Sequence, residues 1–198
     1  MLVFWKEKLV YLAVPKTGTT ALEGALAPKA SMVFRDPPVI KHAPHYRYSR
    51  FLAPMFEQAG ETTFELMAVI RHPVSWLSSW YRYRGRDSLT GHANSTRDIS
   101  FDDFVREYCQ DAPKSFAAVG SQARFVGGEI GNPPVQHLFQ YEDQDRLISF
   151  LTERIGAFPA PKTLNVSPVR EAELTPEVLD LLKERRSEEF AMWDRASS

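Results

Sequence analysis

The sequence predicts an α/β domain whose mainly parallel central sheet carries helices on both faces, three layers in all. Two observations predict it. Short unbroken apolar runs alternate with segments of helical periodicity, and the two strongest runs each stop at a loop that opens a helix. A chain of 198 residues, 43% hydrophobic and 12% aromatic, supports a substantial core and fits one domain spanning residues 1–198.

Leu9-Val10-Tyr11-Leu12-Ala13-Val14 is an apolar run closed by Pro15, the pattern of a strand buried on both faces. Residues 2–5 pair with it across the charged turn Lys6-Glu7-Lys8. Thr19 or Thr20 caps a helix over 21–26 that ends before Pro28. Residues 38–41 read as a short strand delivering His42 to a loop. Residues 48–58 read as an amphipathic helix with Phe51, Leu52, Met55 and Phe56 on one side. The second strong strand, Phe64-Glu65-Leu66-Met67-Ala68-Val69-Ile70, ends at Arg71. Pro73 then suits the first position of a helix, where its missing N–H costs nothing.

Residues 85–100 are polar and aperiodic, a long surface loop suited to a lid or an acceptor-binding segment. Beyond it come a helix over 101–109 behind Ser100, a strand over 135–141 and a helix over 145–155. Thr175-Pro176-Glu177 opens a last helix that runs towards Trp193. In open sheets of this kind ligands bind at the carboxyl ends of strands, where each motif discussed below falls.

Net charge is -1 and the pI is near 6.5, so no global positive field is offered to nucleic acid or an acidic membrane, and any anion site must be local. A single cysteine, Cys109, excludes an intrachain disulfide framework and a cysteine zinc cluster, and suits a reducing cytoplasm. Lys6, Glu7 and Lys8 interrupt the apolar N-terminal stretch, and no segment reaches the roughly 20 apolar residues of a membrane span. These features predict a soluble, cytoplasmic protein with no membrane partner; its oligomeric state is not encoded. Asn94-Ser95-Thr96 fits a glycosylation sequon by chance on that expectation.

The turn Lys16-Thr17-Gly18-Thr19-Thr20 joins a buried strand to a helix start, which gathers backbone N–H groups, hydroxyls and an ammonium at one spot. That is the composition of an oxyanion site. Lysine precedes the glycine here, whereas a triphosphate loop needs Gly-x-x-x-x-Gly-Lys-[Ser/Thr], so nucleoside triphosphate hydrolysis is disfavoured. A second anion site follows at Val69-Ile70-Arg71-His72-Pro73-Val74-Ser75-Trp76-Leu77-Ser78-Ser79. Arg71 ends the strand, Ser79 lies eight positions on, and Ser75 and Ser79 share a helix face.

These two segments resemble the PAPS-dependent sulfotransferases, which use 3′-phosphoadenosine 5′-phosphosulfate as donor, and the pattern is nearest to the bacterial and carbohydrate-type members. The resemblance implies a P-loop-NTPase-like fold and transfer of a sulfo group to a hydroxyl or amine. The first loop, Lys16, Thr17, Gly18, Thr19 and Thr20, would hold the 5′-phosphate and sulfo group. Lys16 would also stabilise the bridging oxygen as the S–O bond breaks, and Arg71 and Ser79 would bind the 3′-phosphate. No metal is needed, and the product would be adenosine 3′,5′-bisphosphate. By the same resemblance, Asn165 and Ser167 lie near the donor, and Gln140-Tyr141-Glu142-Asp143 matches a strand ending in Tyr-Glu.

In-line attack on sulfur needs a base, and histidine is the default. His42, in the Lys41-His42 stretch that also resembles the family, is preferred, with His45 in reserve and Lys41 as a second cation for the sulfo group. Tyr81-Arg82-Tyr83-Arg84-Gly85-Arg86 suits an acidic or sugar-like acceptor, so the partner is a small molecule or carbohydrate rather than nucleic acid. Two alternatives stay open: an atypical P-loop kinase and a non-catalytic nucleotide-binding module.

Overall fold

The computed structural model describes residues 1–60, 62–128, 134–160 and 172–197. The chain builds a five-stranded sheet from β1 (Leu2–Phe4), β2 (Leu9–Leu12), β3 (Met32–Val33), β4 (Glu65–Ile70) and β5 (His137–Gln140), in the order β3-β1-β2-β4-β5. The class is α/β, as expected, but the sheet is mixed rather than mainly parallel. β1 runs antiparallel to both β2 and β3, while β2, β4 and β5 are parallel. The antiparallel edge follows from the short turn Lys6-Glu7-Lys8, which is too brief for the crossover that a parallel pair requires.

Every residue of β2 and all but the first of β4 are buried, as their unbroken apolar sequences require. Each such Leu or Val contributes roughly 1.5–3 kcal/mol relative to exposure. Alternation along the strands divides the core into two layers. On one face Leu9, Tyr11, Met67 and Val69 meet Leu22 and Leu26 of α1 (Thr19–Leu26). The same layer takes Leu147 and Leu151 of a later helix (Gln144–Ile155). On the other face Val10, Leu12, Leu66 and Ala68 meet Tyr48, Phe56, Phe125 and Met192.

Residues 38–41 are a helical turn, α2 (Pro38–Lys41), and not the expected strand: Pro38 sits at its first position, and Lys41 N–H bonds back to the Pro37 carbonyl. A further turn, α3 (His45–Arg47), runs through a π-helical turn (Tyr48–Leu52) into α4 (Ala53–Gly60). Of the apolar stripe expected there, Phe56 is buried, whereas Phe51 and Met55 are 62% and 49% exposed. Leu52 also packs against the core, so the stripe meets it through Leu52 and Phe56 alone, in a segment that begins with the π turn.

The helix after Arg71 is α5 (Pro73–Arg84), and α6 (Phe101–Tyr108) is capped by Ser100, whose hydroxyl accepts from Asp103 N–H. Between them, residues 85–100 are tied back to α5 through Thr96 and closed on themselves by an ion pair. The buried Thr96 hydroxyl donates to the Tyr81 carbonyl at 2.7 Å, and Arg97 pairs with Asp87 at 2.8 Å. A short helix, α7 (Gln122–Phe125), precedes α8 (Gln144–Ile155). The last expected helix is two, α9 (Pro176–Arg185) and α10 (Ser187–Arg195), broken at Arg186. Among the described residues no helix is long and apolar enough to cross a membrane.

Candidate functional site

β2 and β4 are parallel neighbours with Leu12 opposite Ala68, so the chain leaves both strands at the same edge of the sheet. The loops carrying Lys16 and Arg71 therefore emerge side by side. In the first loop, Lys16 and Gly18 adopt left-handed backbone, with φ of 68° and 74°. Lysine held there costs roughly 1–2 kcal/mol, a strain tolerated where the turn itself has a use. Gly18, not Thr19 or Thr20, is the N-cap of α1. The helix start leaves first-turn amides without intrahelical acceptors beside the lysine.

The threonines divide the work. The Thr17 hydroxyl donates to the Val14 carbonyl at 2.8 Å and the residue is 1% exposed, so its side chain shapes the turn. Thr19 is buried, and Thr20 is exposed at the helix start. The loop is tied to α5 by Trp76, whose indole N–H donates to the Pro15 carbonyl at 2.9 Å.

The Lys16 ammonium lies 3.9 Å from the Tyr83 ring centroid and 5.3 Å from that of Trp80, and Arg86 shares the Tyr83 ring at 4.5 Å. Burial, then repulsion by Arg86 and by Arg71, lowers its pKa to about 8. Three cations thus converge, and the two groups that act on Lys16 electrostatically are both positive.

Arg71 is held from three directions. The Gln122 side chain accepts from its N–H at 2.9 Å and donates to its carbonyl at 2.8 Å, and its Nε donates to the Ser75 hydroxyl at 2.7 Å. Ser75 is thus the serine that meets the guanidinium directly, while Ser79 lies one turn further along α5, partly buried. The Tyr141 ring joins the two loops. Arg71 stacks over it at 4.6 Å, and a Cβ on Gly18 would stand 3.1 Å from its edge. Gln122 gave no sequence signal, being one polar residue in a featureless stretch. Tyr141 was legible only through the Tyr-Glu resemblance. Glu142 anchors structure, accepting from His72 N–H at 3.0 Å and from the Trp193 indole at 3.1 Å.

His42 follows α2 and places Nδ1 2.7 Å from the Ala13 carbonyl at the end of β2. That carbonyl requires a proton on Nδ1, which leaves Nε2 as the basic nitrogen. Burial lowers the imidazole pKa, partly offset by this hydrogen bond. The other histidines are engaged elsewhere. His72 packs edge-on to Trp193, His92 accepts from Asn94 N–H and His137 meets Glu65; His45 heads α3, beside Gly127. Lys41, the expected second cation, forms an ion pair with Glu23 at 2.8 Å. Asn165 and Ser167 lie outside the described residues. Among the described residues no group of three or more His, Cys, Asp or Glu side chains is placed to hold a metal ion.

No family model, curated protein or solved structure matches the chain.

Proposed function

We propose that the chain transfers a sulfo group from 3′-phosphoadenosine 5′-phosphosulfate to an acceptor hydroxyl, using a P-loop-like unit of β2, loop and α1. One observation carries this reading: a partly buried lysine sits among guanidiniums, depressed by burial and by Arg86 and Arg71, at the carboxyl ends of two adjacent parallel strands. Like charges gathered in this way await a polyanion, and two strand ends match two phosphate groups.

The roles follow from the chemistry of each group. Lys16 neutralises charge on the bridging oxygen as the S–O bond breaks, and the electron pair departs with the 5′-phosphate. Arg71, oriented by Ser75 and Gln122, binds the 3′-phosphate through forked N–H donors, with Ser79 further along the same helix. His42 Nε2 accepts the proton of the acceptor hydroxyl as its oxygen bonds to sulfur. Preorganised charge of this kind supplies about 10²–10³ in rate per donor.

A thermal shift test separates the rival chemistries without knowledge of the acceptor. Adenosine 3′,5′-bisphosphate should raise the melting temperature in the absence of Mg²⁺, and ATP with Mg²⁺ should act weakly. The reverse order would replace this reading with a kinase. Tight bisphosphate binding with no labelled product over a broad acceptor panel would leave a binding module.

A further inference from the structure

Beside the cationic cluster lies a cavity of opposite character. It encloses about 390 Å³, with walls formed by Val14, Pro15, Trp76, Val119 and Phe125 and with Tyr46 and Arg124 also in its lining. Arg124 is exposed and Tyr46 is 57% exposed, so both remain in reach of water. Two polar groups of the wall have partners in the protein: the Trp76 indole N–H donates to the Pro15 carbonyl, and the Ser121 hydroxyl accepts from Arg124 N–H.

Its position is set by the same two segments that carry the chemistry. Val14 and Pro15 lead directly into Lys16, and the Ala13 carbonyl before them holds His42. Pro44 and Tyr46, two and four residues after His42, also line it. The cavity is therefore walled in part by the residues that precede Lys16 and by those that follow His42. In the Tyr81 to Arg86 stretch, which the sequence offered to a sugar, Tyr81 donates to the Ile99 carbonyl and Arg84 to the carbonyls of Ser115 and Ala118, while Tyr83 and Arg86 stand beside Lys16 and outside the lining of this cavity.

We infer that this cavity binds the acceptor, and that the acceptor is a hydroxyl borne on an apolar ring system, a phenol or an alicyclic alcohol, rather than a carbohydrate. The role of the hydroxyl rests on the sulfotransfer reading, whereas binding of the ring system does not. A sugar would set several hydroxyls against a wall with few free hydrogen-bonding groups, each losing its bonds to water. An apolar ring gains from the same wall. At roughly 30 Å³ per molecule of liquid water, a cavity of 390 Å³ holds the volume of about 13 waters, room for a two-ring phenol. In the reaction the hydroxyl proton passes to His42 Nε2 and the phenol oxygen bonds to sulfur. The bond from sulfur to the bridging oxygen breaks, leaving its electron pair on the 5′-phosphate beside Lys16.

The probe is indan-5-ol, titrated into the full chain and followed by tryptophan fluorescence, with label transfer from the donor measured in parallel and N-acetylglucosamine as the sugar comparator. Adenosine 3′,5′-bisphosphate affinity is measured separately by calorimetry. Indan-5-ol should bind and be sulfonated in preference to the sugar. Val119→Asp, at a partly buried wall position, should weaken its binding by roughly tenfold or more while bisphosphate affinity is kept. Tyr46→Ala, at an exposed position where folding is not at stake, should weaken it several-fold. Unchanged indan-5-ol binding in both variants would overturn the inference, as would sulfonation of the sugar with no indan-5-ol binding. Loss of bisphosphate binding alone would sink the donor reading and leave the apolar-ring site in place.

Discussion

Binding of adenosine 3′,5′-bisphosphate should draw a proton onto Lys16 in mildly alkaline solution. In the free protein, burial and then Arg86 and Arg71 hold its pKa at about 8. A bound phosphate supplies the missing counter-charge and lifts it towards the ordinary lysine value near 10.4. Binding then takes up roughly 0.1 proton near pH 7, roughly 0.5 near pH 8 and roughly 0.9 near pH 9. By linkage the affinity falls about tenfold between about pH 7 and pH 9, because more of the free protein must first be protonated. The phosphates of the ligand, with a second pKa near 6, are already ionised over most of this range. His42, lowered by burial, is neutral there. Calorimetry in two buffers of different ionisation enthalpy reads the uptake directly. A binding heat that is independent of buffer near pH 8 and pH 9 would refute the reasoning, and so would undiminished uptake in Lys16→Met.

Three further outcomes are expected. Arg71→Ala removes a charge-assisted contact worth about 1.5–3 kcal/mol, so bisphosphate should bind about tenfold to a hundredfold more weakly while adenosine 5′-monophosphate changes little; equal losses for both would place Arg71 outside the 3′-phosphate site. His42→Gln should lower kcat by about 10²–10⁴ with bisphosphate affinity kept, and the acid limb of the parent kcat profile should lie below the ordinary histidine value of about 6.5, since burial lowers this imidazole. Glu189 is 2% exposed and burial raises its carboxyl to about 7, so its stabilisation is complete below about pH 4 and lost as pH rises through about 7. Glu189→Gln should therefore be more stable than the parent near pH 8, by on the order of a few kcal/mol in urea melts, with the gap closing near pH 4.

The parallel pair β2 and β4 was legible because burial on both faces demands unbroken apolar runs, and nothing else in the chain resembles them. Lys16 and Arg71 were legible for the same reason, since each ends such a run. The helical turn at Pro38–Lys41 was not, because Val39 and Ile40 favour strand while the prolines before them set the backbone. Their side chains are 51% and 39% exposed, so no sheet contact rewards the strand alternative. Ser75 against Ser79 turns on which rotamer the arginine adopts, which spacing alone does not decide. Gln122 acts through long-range hydrogen bonds to Arg71, 51 positions earlier, and no local pattern announces such a partner.

The two strand-end loops become one site through a single ring. Tyr141 follows β5, and its N–H donates to the Ile70 carbonyl at 2.6 Å, which brings its side chain out next to Arg71. The guanidinium rests on one part of that ring, and Gly18 passes its edge so closely that a Cβ would stand 3.1 Å from it. Glycine at 18 suits the left-handed backbone, and the close ring adds a second, smaller reason to keep a side chain out. The Tyr141 ring thus lies between the loop of Lys16 and the guanidinium and touches both. A ligand with one phosphate relieves one cation and leaves the other still repelled. Under the proposed function, a ligand with phosphates at both ends of its ribose relieves both, and the repulsion in the free site is then what selects the doubly phosphorylated nucleotide.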